Sequence, residues 1–131
     1  MSEPDDAEAP STRELGQHGE RRAAAWLEAH GLAILDGNVT IAGAEIDLVA
    51  RDPGEPEPGE AWTIVFVEVR GRSDDRRGHP LETIDARKQA RVRRAATAWL
   101  VERDLWERVA VRFDVIGLVG EGDPIWLRDA F

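Results

Sequence analysis

The sequence predicts an α/β domain, a mixed β-sheet flanked by helices with its elements in the order αβββαββ. Three observations carry that prediction. Residues 44–50 and 62–70 are dominated by β-branched and apolar side chains, and the run between them is crowded with Gly and Pro, so both segments read as strands. In the second segment Ile64 and Phe66 share one face and Val65, Val67 and Val69 the other, the pattern of a strand covered on both sides. Apolar residues at three- and four-residue spacing lie before and after the strands, which supplies the covering helices.

Residues 1–10, mostly Pro, Glu, Asp and Ala, are expected to form a disordered acidic tail, leaving 11–131 as a single domain. Ser11, with Glu14 three residues on, makes a capping box, and Gly31 stands where a helix terminator belongs. Within this helix Glu20, Ala23, Ala24 and Leu27 fall on one face, and Glu20 has no base three or four residues away. Gly16 and Gly19 each cost about 1 kcal/mol relative to Ala and permit close backbone packing.

A first strand is expected over 32–41, with a turn at Asp36-Gly37-Asn38 and another at Ala42-Gly43 leading into the Asp47 strand as a meander. Residues 51–61 read as a flexible loop, and 71–80 as a mobile polar loop whose His79 is most simply a solvated histidine. A long helix follows over about 81–103, with Ile84, Val92, Ala95, Ala96, Trp99 and Leu100 as its apolar stripe. Lys88 falls inside that stripe and is predicted to face the sheet. Arg87, Arg91 and Arg94 form a separate row, readable either as a solvated face supported by Asp85 pairing with Lys88 or Gln89, or as a phosphate-facing row. A strand over 109–119, a turn at 120–123 and a short strand over 125–127 complete the order.

The 131 residues, 42% of them hydrophobic, suit one core, and the absence of cysteine suits a reducing interior. The acidic start is the opposite of a secretory signal and no apolar run approaches membrane-spanning length, so a cytoplasmic protein without a membrane partner is expected. A net charge of −9 argues against nucleic acid only superficially. Residues 1–10 and 52–60 hold eight acids and no base, which leaves −1 on the rest, whereas residues 70–94 hold nine bases against four acids.

Asp47 and Glu68 are acids set into apolar strands, an expensive place for charge. If those strands pair, the two carboxylates lie roughly 5 Å apart and repel unless a cation or a proton sits between them. Mg²⁺ favours such oxygen ligands together with phosphate oxygens. Arg70 and Lys88 would then offset the charge that develops at phosphorus. Spacing alone is equally compatible with a buried structural pair of Glu68 and Arg70.

Several separated motifs bear on that choice. Gly19-Glu20 with Ala23 and Trp26-Leu27, Asn38, Ala44-Glu45-Ile46-Asp47-Leu48-Val49-Ala50, Val65-Phe66-Val67-Glu68-Val69-Arg70-x-Arg72, Gly78-x-Pro80, Lys88, Ala95 with Trp99-Leu100, Arg112-Phe113-Asp114 and the closing Ala130-Phe131 resemble, in order, the YraN family of bacterial proteins. The resemblance runs from about Leu15 to Phe131. It implies a restriction-endonuclease-like fold of the PD-(D/E)xK superfamily, similar to Holliday junction resolvases, and metal-dependent cleavage of DNA or RNA with Mg²⁺ or Mn²⁺. It further implies that Glu20 is a helical acid beside the metal, that Asp47 and Glu68 are metal ligands, and that Arg70 occupies the position usually held by Lys. Ile46 stands where the superfamily usually has Pro. Arginine cannot act as a general base, so Lys88 takes over the lysine's role, or a metal-bound hydroxide needs no protein base, or catalysis is lost, the alternative being a non-catalytic adaptor that binds nucleic acid or a protein. The expected contacts to the nucleic-acid backbone are Arg72, Arg76, Arg77, Arg87, Arg91 and Arg94. Oligomeric state is not legible, and a dimer is compatible with the fold.

Overall fold

In the computed structural model the described residues are 12–54, 62–72 and 84–131. They form α1 (Thr12–Ala29), β1 (Ala33–Ile41), β2 (Ala44–Asp52), β3 (Thr63–Arg72), α2 (Ala86–Glu102), β4 (Ala110–Val119) and β5 (Ile125–Leu127), the predicted αβββαββ order. The five strands make one mixed sheet in sequence order. Neighbours are antiparallel except β3 and β4, which run parallel because α2 carries the chain back between them. The proposed tail, the Ser11 cap and the loop residues Arg76, Arg77 and His79 lie outside the described residues.

The two helices cover opposite faces. Ala23 and Leu27 of α1 pack with Leu48, Ala50, Val65, Val67, Ile116 and Leu118, while Val92, Ala95, Ala96, Trp99 and Leu100 of α2 pack with Ile46, Val49, Ile64, Phe66 and Phe113. Residues Ile64 to Val67 are buried on both faces, as the doubly apolar pattern predicted. α1 ends in a Schellman motif: the Leu32 amide donates to the Leu27 carbonyl and the Gly31 amide to Glu28, with Gly31 at φ 97°. At Gly19 a Cβ would stand 3.3 Å from Leu118 Cδ1, so the missing side chain brings α1 close to β4.

Four expectations are corrected. The turn expected at Asp36-Gly37-Asn38 is absent: β1 runs on through all three residues, with a β-bulge just before them, between Ile34 and Asp36, and with Asn38 at φ 52°. Asp36 is spent on tertiary bonds, accepting from Trp99 Nε1 (3.0 Å) and Arg103 (3.3 Å), which fastens the end of α2 to β1. β2 runs on to Asp52, which is buried rather than part of a flexible loop. α2 begins at Ala86 with Asp85 as its N-cap, not at Leu81. The last correction concerns β2, where alternation in the sequence puts Ile46 and Leu48 on one face and Asp47 and Val49 on the other: Ile46 and Val49 face α2 while Leu48 faces α1, so the strand changes face at Asp47.

Candidate functional site

That change of face builds the site. The paired rungs of β2 and β3 end at Leu48 with Val67, and just beyond them Asp47 Oδ2 accepts the backbone amide hydrogen of Val69 at 2.8 Å. A carboxylate thus lies at the opening between two central strands, within reach of groups from both helices. From α1, Glu20 comes beside the Asp47 carboxyl and Asn38 of β1, close enough for both to act on its protonation. From β3, Glu68 faces α2, where Lys88 Nζ meets its Oε2 at 3.3 Å. Asp85 takes the backbone amide of Lys88 at 2.9 Å, so its capping bond leaves the lysine's ammonium to Glu68. Arg70, two residues along the same face of β3, acts electrostatically on Glu68.

The electrostatics follow from burial. Loss of solvent pushes the Asp47 carboxyl up to about 6, helped by the negative charge of Glu20 and opposed by the Val69 amide. Glu68 is pushed up to about 7, first by burial and then by the charge of Asp47, with Lys88 and Arg70 pulling the other way. Glu20 is raised for the same leading reason, while Asp47 and Asn38 beside it hold it down. Three acids therefore face two cations, and the site stays short of positive charge.

The donor set is all oxygen and carries excess negative charge, which fits Mg²⁺ or Mn²⁺. Among the described residues no three His, Cys, Asp or Glu side chains stand in a ready coordination cage. The acids form a row, Glu20, Asp47, Glu68, rather than a closed shell. Mg²⁺ keeps several waters and takes one or two carboxylates, so a row is sufficient for it.

All five residues proposed for the chemistry, Glu20, Asp47, Glu68, Arg70 and Lys88, are brought into this one electrostatic cluster. The proposed backbone contacts are spread more widely. Arg87 and Arg91 are exposed on α2, as is Arg94, whose Nε is tied to the Ala42 carbonyl at 3.2 Å. Arg72 ends β3.

A second ionic cluster escaped the sequence reading. Asp114, fully buried, accepts from Arg112 Nε (2.9 Å) and NH2 (3.0 Å), from Trp126 Nε1 (2.9 Å) and from the Asp129 amide (2.9 Å). Arg112 also reaches Asp52 (2.8 Å), which Arg128 joins at 3.0 Å. Every polar group there has a partner, so the cluster fastens β2, β4 and the C-terminal segment together. The pattern that signals it is Arg-x-Asp inside the otherwise apolar run from Val111 to Leu118.

Residues 19–118 match the family model described as "Uncharacterised protein family UPF0102", a span that takes in all five candidate residues. The chain is 44% identical over 123 residues to a UPF0102 protein of Chromohalobacter salexigens, covering 92% of each chain. It is 44% identical over 118 residues to one from Alkalilimnicola ehrlichii, spanning 90% of this chain and 86% of that one. A UPF0102 protein of Beutenbergia cavernae is 46% identical over 105 residues, 80% of this chain and 81% of its own. Among the described residues, no helix is long and apolar enough to cross a membrane. With those matches covering most of its length, the chain belongs to the UPF0102 family, the family that its motifs resemble under the name YraN.

Proposed function

We propose that this protein is a metal-dependent phosphodiesterase acting on DNA or RNA. Asp47 and Glu68 would hold a Mg²⁺ or Mn²⁺ ion, with Glu20 beside them. The observation that carries the reading is the meeting of acids from α1, β2 and β3 with a lysine from α2 at the splayed end of two central strands. A purely structural pairing predicts a neutral, fully bonded cluster like that around Asp114. Here burial leaves two carboxyls raised toward neutrality, the state of ligands that lack their cation.

When bound, the ion supplies Lewis acidity to a phosphoryl oxygen and lowers the pKa of water. The chain's own residues do the rest. Lys88 uses one of its donors on Glu68 and has others to offer a phosphate oxygen. Arg70 can clamp a phosphate with two parallel hydrogen bonds but cannot take a proton. Exposed Arg87 and Arg91, on the helix that carries Lys88, add positive charge where a polyanion would run.

The test is incubation of the purified chain with branched, duplex and single-stranded DNA and RNA in Mg²⁺ or Mn²⁺, beside Asp47→Asn and an EDTA control. Cleavage that requires metal and disappears in the variant supports the proposal and identifies the substrate. Salt-sensitive binding without cleavage, retained in Asp47→Asn, supports instead the adaptor that keeps a nuclease-like fold, and marks Arg70 as the lost step.

A further inference from the structure

Beside the acids lies a cleft of about 260 Å³ between α1 and β1, lined by Glu20, Arg21, Ala24, Gly37, Asn38 and Leu48. Glu20 belongs to both places, forming a wall of the cleft and acting electrostatically on Asp47. We propose that this cleft seats one nucleotide of the bound strand, next to the phosphodiester held at the acids, with Arg21 on its phosphate. The inference rests on the phosphodiesterase reading and names a substrate subsite for it.

Three features point to that occupant. The first is size: pockets that take whole small ligands run to roughly 300–1,000 Å³, so a smaller cleft open to a charged edge suits one unit of a polymer that continues outside it. The second is Gly37. Its backbone is not in the left-handed region, and a Cβ would meet Leu48 Cδ2 at 3.6 Å and the Asp47 carbonyl at 3.7 Å, ordinary contacts. Neither strain nor packing therefore requires glycine there, although glycine weakens a strand. Its effect is to leave the cleft open, as at sites where a ligand approaches a strand closely.

The third is chemical variety on a small surface. Ala24 and Leu48 offer an apolar floor for a sugar or base edge. Asn38, turned by its φ of 52°, lines the cleft beside Glu20, and its amide offers both donors and an acceptor. Arg21 is exposed at the rim, and no ion pair joins it to a carboxylate among the described residues. An apolar floor, an amide and a guanidinium match the three parts of a nucleotide.

The experiment is equilibrium binding of the preferred labelled oligonucleotide in Ca²⁺, which permits binding without turnover, for the unaltered protein and for Gly37→Ala, Gly37→Val, Arg21→Ala and, as a distant control, Arg108→Ala. Mn²⁺ affinity and Tm are measured on each. Gly37→Val fills the cleft and is expected to weaken binding about tenfold or more, with Gly37→Ala intermediate and Tm unchanged or raised. Arg21→Ala is expected to weaken binding and reduce the slope of log K against log salt by about 1. Mn²⁺ affinity and the Arg108→Ala protein should behave as the unaltered chain does. Binding by the unaltered protein that Gly37→Val and Arg21→Ala leave intact overturns this subsite alone. No nucleic-acid binding by the unaltered protein overturns both it and the phosphodiesterase reading.

Discussion

Asp47 accepts the Val69 amide hydrogen through Oδ2 at 2.8 Å, immediately past the last paired rung of β2 and β3. A side chain thus takes up an amide where the ladder between two central strands stops. The bond fixes the carboxylate at the opening and leaves its other oxygen for Glu20 or a cation. It also explains how an acid can sit so deep: one strong donor is supplied by the fold, while the remaining desolvation stays unrelieved.

Asp47→Asn keeps an oxygen for Val69 and removes one buried charge. In EDTA near pH 8 it is expected to stabilise the protein by on the order of 2 kcal/mol, since each unit of a raised carboxyl pKa corresponds to about 1.36 kcal/mol. Metal-dependent cleavage should fall at least about 10³-fold, because several kcal/mol of charge stabilisation goes with the ligand. Urea titration and single-turnover cleavage measure the two effects. Lower stability in the variant would show that the charge is already neutralised in the native protein.

Lys88→Met and Arg70→Lys separate the two cations. Lys88 is 39% exposed, so its pair with Glu68 contributes about 1 kcal/mol or less to stability. Its loss should nevertheless lower kcat about 10²-fold or more, the range for removing one preorganised electrostatic contact. Arg70→Lys puts an ammonium that can give up a proton in place of a guanidinium that cannot, and kcat should hold or rise. Steady-state kinetics decide the matter: a large loss in Arg70→Lys with little change in Lys88→Met would assign the phosphate to Arg70 alone.

Asp114 is fully buried and has four donors on its two oxygens. Asp114→Asn leaves Arg112 undercompensated and should destabilise by about 3–5 kcal/mol, whereas Trp126→Phe removes one bond and should cost about 1 kcal/mol. Chemical denaturation gives both values. Neither change is expected to alter metal affinity in protein that remains folded, because the charges that act on Asp47 and Glu68 come from Glu20, Lys88 and Arg70 and from each other, not from this cluster.

The order of elements was legible because β3 is apolar on both faces and α2 carries a clear stripe, patterns set by local chemistry. Lys88 was legible for the same reason, as a charge at an inward position of that stripe. The site's geometry was not. Strict alternation puts Asp47 on one face with Val49, but the strand changes face there, and the cause is tertiary: the Val69 amide of β3 takes the carboxylate into the gap. Asn38 resembled a turn residue because the tolerance for positive φ that suits a turn also suits an irregular position inside a strand. Asp52 was grouped with the neighbouring acids of the loop, since nothing local reveals that Arg112 and Arg128, some sixty and seventy-six residues later, would reach it.

The raised carboxyls also set how stability varies with pH. Asp47 and Glu68 move from 3.8 and 4.5 to about 6 and about 7, so between roughly pH 4 and pH 7 the folded protein binds more protons than the unfolded chain. The unfolded state then binds fewer protons, and stability falls as pH rises. Their contribution is complete below about pH 4 and is lost as pH climbs through 7, by a few kcal/mol at about 1.36 kcal/mol per unit. Asp52, held low by the Gly54 amide and Arg112 against the cost of its burial, acts in the opposite sense, but its contribution is already present above pH 4 and leaves the window from 5 to 8 undisturbed. In EDTA, Tm should therefore decline from pH 5 to 8, and Asp47→Asn should flatten the decline. Mn²⁺ should restore the loss at pH 8 and do little at pH 5.5, where it must displace protons to bind. Thermal melts across this range, with and without Mn²⁺, check each arm, and a Tm independent of both pH and metal would remove the electrostatic basis for a cation at Asp47 and Glu68.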